Sequence, residues 1–345
     1  MKKIAIIGAG TMGHALALVH ALGGCADIRL QDVSTEALKR APGLMQTALR
    51  TLREAGAAGP DKDDAWLAGV VHIVPDLAEA VADADLIVEA VFEDPEIKRQ
   101  VFAAIDQAAS DQAIIASNTS YLDVFPLIPA RRQKRAAIAH WYTPPYLVDL
   151  VDIAPGPETD PGVVHALRDL YAGMDKKPVV LKKFVPGFIA NRIQAAISLE
   201  VYRLLDDGVA DAAEIDASVK YGLALRMPLL GHLMKADFTG LAMSQHAQTN
   251  RSYTPPPVRG RSDRLDALVA DGHTGVMAGR GFYDYGGRSP ADLMRERDLK
   301  LLQLKQALKT IGEIEAEPSK SGSPTVQGGN CGHMCPQRDH WEHSL

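Results

Sequence analysis

The chain has 345 residues, of which 46% are hydrophobic and 23% are charged, and its formal net charge is −6. These proportions are typical of globular proteins and exclude a mostly disordered chain, and at about 150 residues per domain the length predicts two domains. A mildly acidic chain without a basic stripe cannot displace counterions from a polyanion, so we expect no nucleic-acid partner. Three cysteines, Cys25, Cys331 and Cys335, are too few for a disulfide framework and favour a reducing, cytoplasmic location.

Two interpretations compete for the N-terminal segment. Residues 4–26 contain no Asp, Glu, Lys or Arg, and residues 22–25 resemble a lipoprotein cleavage site, as in a secretory signal. Glycines and two histidines interrupt the apolar run, however, and a strand, a turn and a helix explain the segment better. Elsewhere the sequence contains nothing close to the about 20 apolar residues of a membrane span, so we expect no membrane partner.

A glycine-rich turn follows the first predicted strand, residues 3–7, and precedes a helix-spaced apolar run. Gly8 permits a tight turn, Gly10 lets the backbone approach a pyrophosphate, and Gly13 allows close packing of helix and strand. The N-terminus of the helix favours the phosphate charge. The sequence therefore predicts a dinucleotide site. The expected contacts in the turn are Gly8, Gly10, Thr11, Met12 and Gly13.

An acidic residue follows the second predicted strand at the distance that this site requires. Asp32 lies 19 residues after Gly13, where a carboxylate accepts hydrogen bonds from the adenosine ribose hydroxyls. A 2′-phosphate would meet like charge at this position, so NAD is favoured over NADP. The glycine pattern alone is a weak signal, because such turns also occur as plain structure. The preceding strand, the following helix and the spaced acid make it specific.

Strands and helices alternate through the first half of the chain. This alternation predicts an α/β fold, a Rossmann-type doubly wound parallel sheet over residues 1–185. Residues 186–312 show helical spacing and predict an all-α domain, whose last helix, residues 293–311, is charged and predicted to be exposed. Residues 313–345 are rich in Gly, Ser and Pro, and we expect disorder there. The further predicted strands are 86–90, 113–116, 136–140, 147–153 and 178–181, with a helix at 95–108.

Several polar residues lie at predicted strand ends, where open α/β sheets bind ligands. Ser120 follows one strand, His140 ends the next, and Asp152 lies twelve residues further on, in or just past a returning strand. Asn191 begins the helical domain. Oxidation of a secondary alcohol by NAD⁺ needs a base for the hydroxyl proton, and a carboxylate that orients an imidazole assists it. Each residue also has a structural explanation, as a hydrogen-bonded histidine, a polar turn or a helix cap.

Six motifs together resemble the 3-hydroxyacyl-CoA dehydrogenase superfamily over about residues 1–308. In combination and in this order they are highly specific. The motifs are Gly8–Gly13, Val88-Glu89-Ala90 with Glu93 and Lys98, Ser117-Asn118-Thr119-Ser120, His140-x-x-x-Pro144, Pro186-Gly187-Phe188-Ile189-x-Asn191-Arg192 and Gly279–Tyr283.

The resemblance implies roles for these residues. It makes His140 the catalytic base, places Ser120 and Asn191 at the substrate oxygen, and assigns the nicotinamide half of the cofactor to Glu93 and Lys98. Asn118 is expected at the cofactor as well. It further implies a small-molecule substrate, a hydroxy acid or acyl-CoA as in fatty acid metabolism, and a homodimer formed through the helical domain.

The sequence departs from the family pattern at two positions. The carboxylate partner of the histidine is usually Glu but is Asp152 here, one methylene shorter, and Glu158 is the alternative. Thr143 replaces an Asn that is frequent before the proline. Residues 140–146, 157–159 and 222–226 resemble the branch that acts on free acids, which includes L-gulonate 3-dehydrogenase (lambda-crystallin) and L-carnitine dehydrogenase.

Three hypotheses stay open at this point. Arg226 could bind a substrate carboxylate with two hydrogen bonds, or could be a solvated or salt-bridged arginine. The charges of residues 36–66 are balanced and do not decide for or against a coenzyme A tail. The cysteines and histidines of residues 331–343 are more typical of an unstructured end than of a zinc site, so we expect no metal. The leading function is NAD-dependent oxidation of an L-3-hydroxy acid or its CoA thioester, and the alternative is a non-catalytic, crystallin-like or sensor protein that binds NAD.

Overall fold

The computed structural model describes residues 1–249, 253–312 and 314. Its N-terminal part contains one eight-stranded sheet, in the order β3-β2-β1-β4-β5-β6-β7-β8. The strands are β1 (Lys3–Ile7), β2 (Asp27–Gln31), β3 (Val71–Ile73), β4 (Leu86–Glu89), β5 (Ile114–Ser117), β6 (Ala136–Trp141), β7 (Leu150–Pro155) and β8 (Lys177–Val180).

Both faces of the inner strands of this sheet are buried. Along β1, Ile4 and Ile6 belong to one hydrophobic core and Ala5 and Ile7 to another, as the alternation of side chains along a strand requires. Near-continuous apolar strands of this kind are typical of sheets covered by helices on both sides. The Rossmann-type prediction is confirmed, and the N-terminal apolar segment forms the inner strand β1 and the helix that follows it.

The end of the sheet differs from the parallel arrangement that we predicted. Strand β7 pairs antiparallel with β6, whereas all the other neighbouring strands are parallel among the described residues. This reversal follows from the short connection between β6 and β7, since parallel neighbours need a longer crossover. Strand β3 was not predicted, because it has three residues of which two are exposed and so lacks an apolar run.

Helices flank the sheet and form the second half of the chain. Among the described residues they are α1 (Gly13–Leu22), α2 (Thr35–Glu54), α3 (Asp64–Val70), α4 (Leu77–Val81), α5 (Pro95–Ala108), α6 (Ala130–Gln133), α7 (Pro161–Gly173), α8 (Ala190–Asp206), α9 (Ala212–Ala217), α10 (Met227–Leu230), α11 (Leu233–Thr239), α12 (Leu241–Thr249), α13 (Asp263–Ala270) and α14 (Pro290–Ile311). At the start of α9 the Asp211 side chain accepts a hydrogen bond from the Glu214 amide, as is typical of a helix N-cap.

Helix α14 is largely exposed, as predicted, but one side of it is not. This side lies against α2, and Leu302 is buried in the same core as Ile4. The sequence does not reveal this contact, because charged residues are typical of a solvent-exposed helix. Several charged residues of α14 instead form ion pairs with the sheet domain. The ion pairs are Arg295–Glu54, Lys305–Asp149 and Lys309–Asp175.

The link between the two parts lies between Val180, where β8 ends, and Ala190, where α8 begins. We propose residues 1–185 and 186–312 as the domain bounds. The predictions for residues 313–345, including the cysteine and histidine cluster, lie outside the described residues except for position 314. No helix in the described ranges is long and apolar enough to cross a membrane. In the same ranges, no group of three or more His, Cys, Asp or Glu could hold a metal ion.

Candidate active site

The glycine-rich turn has the geometry that the sequence predicted. Gly8 has a φ of 102°, and a Cβ there would lie 2.6 Å from the Ala90 carbonyl oxygen. A Cβ on Gly13 would lie 1.6 Å from the Gly8 carbonyl oxygen, so helix and turn meet at a distance that only glycine allows. A Cβ on Gly10 would meet no described atom within 4 Å, which leaves this side of the turn open to a ligand.

Asp32 lies directly beside the glycine-rich turn. One carboxylate oxygen accepts a hydrogen bond from the Ala9 amide at 2.6 Å, and the other accepts one from the Ser34 amide at 2.7 Å. These bonds hold the carboxylate at the C-terminal end of β2. The remaining lone pairs of its oxygens can accept bonds from hydroxyl groups. Thr143 reaches the same turn, where its hydroxyl donates to Met12 Sδ at 3.2 Å.

A buried ion-pair network lies beneath the ligand edge of the sheet. Lys98, only 1% exposed, donates from Nζ to Glu89 Oε1 at 2.7 Å and lies 3.3 Å from Glu93 Oε2. Glu89, which is fully buried, also accepts hydrogen bonds from the Ser117 hydroxyl and the Val91 amide. The sequence analysis named Glu89 within a motif and assigned it no role. The signal that could have revealed this role is a carboxylate at the end of an otherwise apolar strand.

Glu93 organises the loop that carries Ser120. Its Oε1 accepts hydrogen bonds from the Thr119 hydroxyl at 2.7 Å, the Ser120 amide at 2.8 Å and the Tyr121 amide at 3.0 Å. Burial alone would raise the pKa of Glu93, but these donors and the Lys98 charge outweigh it and hold the pKa below its usual value. In the structure Glu93 and Lys98 therefore hold the loop in place. Asn118 joins this loop to β6, because its Oδ1 accepts a hydrogen bond from the Trp141 amide at 2.9 Å.

His140 lies at the centre of the site, near the end of β6. Its Nε2 is 3.2 Å from the Ser120 hydroxyl oxygen. The ring of Phe188 stacks on the imidazole with centroids 4.7 Å apart, and the ring of Tyr142 meets it edge-on at 4.6 Å. Burial lowers the pKa of His140 to about 4, against a smaller opposing effect of the Glu93 charge. Sequence reasoning missed both rings, because the stacking of Phe188 depends on long-range packing and the orientation of Tyr142 depends on the path of the chain after β6.

Asp152 faces His140 across the antiparallel pair. The two residues are register partners in β6 and β7, and both are buried. Asp152 Oδ2 accepts a hydrogen bond from the Tyr142 hydroxyl at 2.6 Å. Among the described residues, His140 Nδ1 and Asp152 Oδ1 are buried without a hydrogen-bond partner. Burial raises the pKa of Asp152, and the Tyr142 hydrogen bond opposes this rise.

The other predicted site residues, Asn191, Glu158 and Arg226, differ in their position relative to His140. Asn191 is half-buried in the first turn of α8, and its backbone amide lies against the Tyr142 hydroxyl. The alternative partner Glu158 follows β7 beyond Pro155, which pairs with Ala137 at the opposite end of β6, so the topology separates Glu158 from His140. Arg226 is exposed, and its guanidinium donates to the Gly222 carbonyl oxygen at 2.7 Å. Among the described residues, no hydrogen bond or ion pair links Arg226 to His140, Ser120 or Asp152.

Two family models match consecutive parts of the chain. The NAD-binding domain of 3-hydroxyacyl-CoA dehydrogenase matches residues 3–184, and the C-terminal domain of the same family matches residues 187–285. The chain belongs to the 3-hydroxyacyl-CoA dehydrogenase superfamily. This is a family of NAD-dependent dehydrogenases that act on CH–OH groups, and NAD is the cofactor of the N-terminal domain.

The chain is similar to several family members of known activity. It is 30% identical to 5-formyl-3-hydroxy-2-methylpyridine 4-carboxylate 5-dehydrogenase of Mesorhizobium japonicum, over 90% of this chain and 99% of that protein. It is 31% identical to L-carnitine dehydrogenase of Nocardiopsis dassonvillei, over 92% of this chain and 94% of the relative. A crystal structure of a 5-formyl-3-hydroxy-2-methylpyridine 4-carboxylic acid 5-dehydrogenase, an NAD⁺-dependent dismutase, matches with a TM-score of 0.80 at 29% identity, over 90% of this chain and 99% of that chain.

The residues of this superfamily member fit the cofactor. Gly10 presents an open backbone surface, the first turn of α1 offers amide groups to a pyrophosphate, and Asp32 is held where ribose hydroxyls are bound in such folds. The sheet order places this surface at the point between β1 and β4 where the direction of winding changes. Open α/β sheets bind their ligands at such a point.

Proposed function

We propose that the protein oxidises the hydroxyl group of an L-3-hydroxy acid to the 3-oxo acid with NAD⁺, and that His140 is the catalytic base. The observation that carries this proposal is the 3.2 Å approach of the Ser120 hydroxyl to His140 Nε2 at the ligand edge of the sheet. A substrate hydroxyl held by Ser120 lies within hydrogen-bond reach of the same nitrogen. This is the first geometric requirement for a general base.

The environment of His140 suits this role. Burial lowers its pKa to about 4, so the imidazole is uncharged near neutral pH and Nε2 has a lone pair for the hydroxyl proton; because the same shift weakens the base, the role requires a carboxylate that stabilises the imidazolium. Phe188 covers one face of the ring and limits the access of water. Ser120, together with Asn191 as the family resemblance implies, holds the substrate oxygen while it becomes a carbonyl. A bound NAD⁺ would supply the acceptor for the hydride that leaves the carbon bearing this oxygen.

We further propose that Asp152 is the carboxylate partner of His140. Directly opposed residues of an antiparallel pair place their Cβ atoms about 4.5–5.5 Å apart on one face. No hydrogen bond joins His140 Nδ1 to Asp152 Oδ1 in the structure, but neither atom has another partner among the described residues, and a side-chain rotation that brought them together would let Nδ1 donate to Oδ1 and stabilise the imidazolium formed after proton transfer. The shorter Asp thus has a carboxylate oxygen available for the imidazole.

A free acid is favoured over a coenzyme A thioester as substrate. The relatives described above are named for a pyridine carboxylate and for carnitine, and both compounds carry a free carboxylate. In the segment between β2 and β3, Arg50 pairs with Asp64, and Lys62 pairs with Asp61 and lies over the Trp66 ring. These cations already have partners within the chain. A thioester is the second candidate, since the family model is named for acyl-CoA substrates.

We also propose a homodimer through the helical domain. None of the side chains of α8 is buried, and several large apolar side chains of the following helices are between 62% and 82% exposed. Such an extended apolar surface is typical of an interface. Arg226 lies on this surface, and its contact with a substrate carboxylate stays a prediction. The exposed apolar side chains of this surface are Tyr221, Leu225, Leu233, Phe238, Leu241 and Met243.

Sedimentation velocity measures whether the protein is a dimer. The Leu233→Glu variant should sediment as a monomer.

The activity is tested by following NADH absorbance with 3-hydroxybutyryl-CoA, L-gulonate and L-carnitine, each with NAD⁺. We expect turnover with a free hydroxy acid and a lower kcat/KM with the thioester. The reverse order would make the thioester the substrate class. Tight NADH binding with no turnover on a broad panel of hydroxy acids would contradict the proposal and favour the non-catalytic alternative.

A further inference from the structure

Tyr142 occupies a position that the proposed reaction does not yet use. It follows His140 by two residues, immediately after β6 ends, and its ring packs edge-on against the imidazole at 4.6 Å. Its hydroxyl donates to Asp152 Oδ2 at 2.6 Å. One side chain therefore contacts the ring of the base and the carboxylate that faces it.

The hydroxyl also connects three elements of the fold. Tyr142 extends from the end of β6, Asp152 belongs to β7, and the backbone amide of Asn191 at the start of α8 lies against the same oxygen. Burial and the adjacent carboxylate raise the pKa of Tyr142, so the phenol keeps its proton and can donate it in the hydrogen bond. The strand, the loop and the first helix of the helical domain thus meet at one hydroxyl.

The two oxygens of Asp152 are in different situations. Oδ2 is bound by Tyr142, whereas Oδ1 is buried without a partner in the described part of the chain, as is His140 Nδ1. A carboxylate on a short side chain can rotate, and a hydrogen bond to one oxygen restricts this rotation. Because Tyr142 occupies Oδ2, Oδ1 is the oxygen that can accept a hydrogen bond from the imidazole when the two side chains approach, although the structure itself contains no such bond.

From these contacts we infer that Tyr142 is a positioning residue for the reaction, which fixes the Asp152 carboxylate so that its second oxygen serves His140. The inference rests on the proposed function. Tyr142 need not touch the substrate, and it acts through Asp152. The groups that face Asp152 are His140 and Tyr142 from β6 and its following loop, and Val179 from β8, which cannot titrate.

Tyr142→Phe removes only the hydroxyl and tests the inference. We expect kcat to fall about tenfold, as for the loss of one hydrogen bond to a charged group, with the KM for NAD⁺ unchanged. The acid limb of the kcat profile should move to higher pH, because an Asp152 carboxylate without its donor is protonated more easily. Tyr146→Phe is the matched control. Tyr146 donates to Asp298 at 3.4 Å, away from His140, and its variant should keep the wild-type kcat.

A double-mutant cycle separates positioning from general packing. In an Asp152→Asn background, Tyr142→Phe should change kcat by less than about twofold, since the group on which Tyr142 acts is gone. Equal tenfold losses in both backgrounds would overturn the inference. So would a Tyr142→Phe variant with the kcat and pH profile of the wild type.

A measurement that does not depend on turnover tests the inference separately from the proposed function. Carbon-13 NMR of labelled aspartate carboxyls, with Asp152 identified by its loss in Asp152→Asn, reports the pKa of Asp152 directly. Tyr142→Phe should raise this pKa by about one unit. An unchanged pKa would show that Tyr142 does not hold the carboxylate. If the wild-type chain oxidises no hydroxy acid, the proposed function fails, and with it the role in the reaction, whereas the carboxyl titration still decides the contact.

Discussion

Replacement of Lys98 by Met should destabilise the protein far more than an ordinary lysine substitution. Lys98 is 1% exposed and provides the cation for Glu89, which is fully buried. Removal of one partner of a buried ion pair costs about 3–5 kcal/mol, because the other charge is left uncompensated. Glu89 keeps hydrogen bonds from the Ser117 hydroxyl and the Val91 amide, which places the expected loss near the lower end of the range, about 3 kcal/mol.

Urea denaturation and thermal melting of the cofactor-free protein measure this loss. For a domain of this size, about 3 kcal/mol corresponds to a fall in Tm of about 6–12 °C. The matched control is Lys300→Met. Lys300 pairs with Glu296 one turn away on α14, but it is largely exposed, so its replacement should leave the midpoint unchanged. A loss below about 1 kcal/mol for Lys98→Met would refute the reasoning.

A second variant identifies the cause of the loss. Glu89→Gln in the Lys98→Met background removes the uncompensated charge, so the double variant should recover part of the lost stability. If the double variant is less stable than Lys98→Met alone, the cost lies in packing and not in the charge. The expected result would also show that Lys98 stabilises Glu89 before any cofactor binds.

Three further predictions concern the cofactor turn and the C-terminal helix. Gly13→Ala should lower the affinity for NADH at least tenfold in a fluorescence titration, because its Cβ would lie 1.6 Å from the Gly8 carbonyl oxygen; wild-type affinity would contradict the packing. Asp32→Ala should raise the kcat/KM ratio of NADP⁺ to NAD⁺, and an unchanged ratio would remove Asp32 from the ribose site. Leu302→Ala should cost about 2–4 kcal/mol in urea, whereas the half-exposed Leu304→Ala should have little effect; equal losses would contradict the docking of α14.

The local geometry around the glycine-rich turn could be predicted from the sequence. The tight turn at Gly8, the close packing at Gly13 and the position of Asp32 beside the turn depend on local backbone geometry and on a fixed spacing, so a pattern of residues determines them. The sheet was predictable for a similar reason, since apolar runs alternate with amphipathic helices. His140 could be placed at a strand end from the same pattern.

The contacts between these elements could not be predicted. Strand β7 is buried on both faces, so its apolar residues do not define a register, and a shift of one residue would turn Asp152 away from His140. The stacking of Phe188 and the burial of Leu302 join residues far apart in the chain, and the hydroxyl contact of Tyr142 with Asp152 depends on how β6 pairs with β7. Composition and periodicity carry no information on such contacts.

The base role of His140 is tested most directly by His140→Gln, assayed for NADH formation with the hydroxy acid that the wild type uses and for NADH binding by fluorescence. We predict that kcat falls at least about 100-fold, as for the loss of a general base, while the Kd for NADH stays within about twofold, since the cofactor turn lies on other strands. Turnover near the wild-type rate in a variant that binds NADH normally would contradict the account.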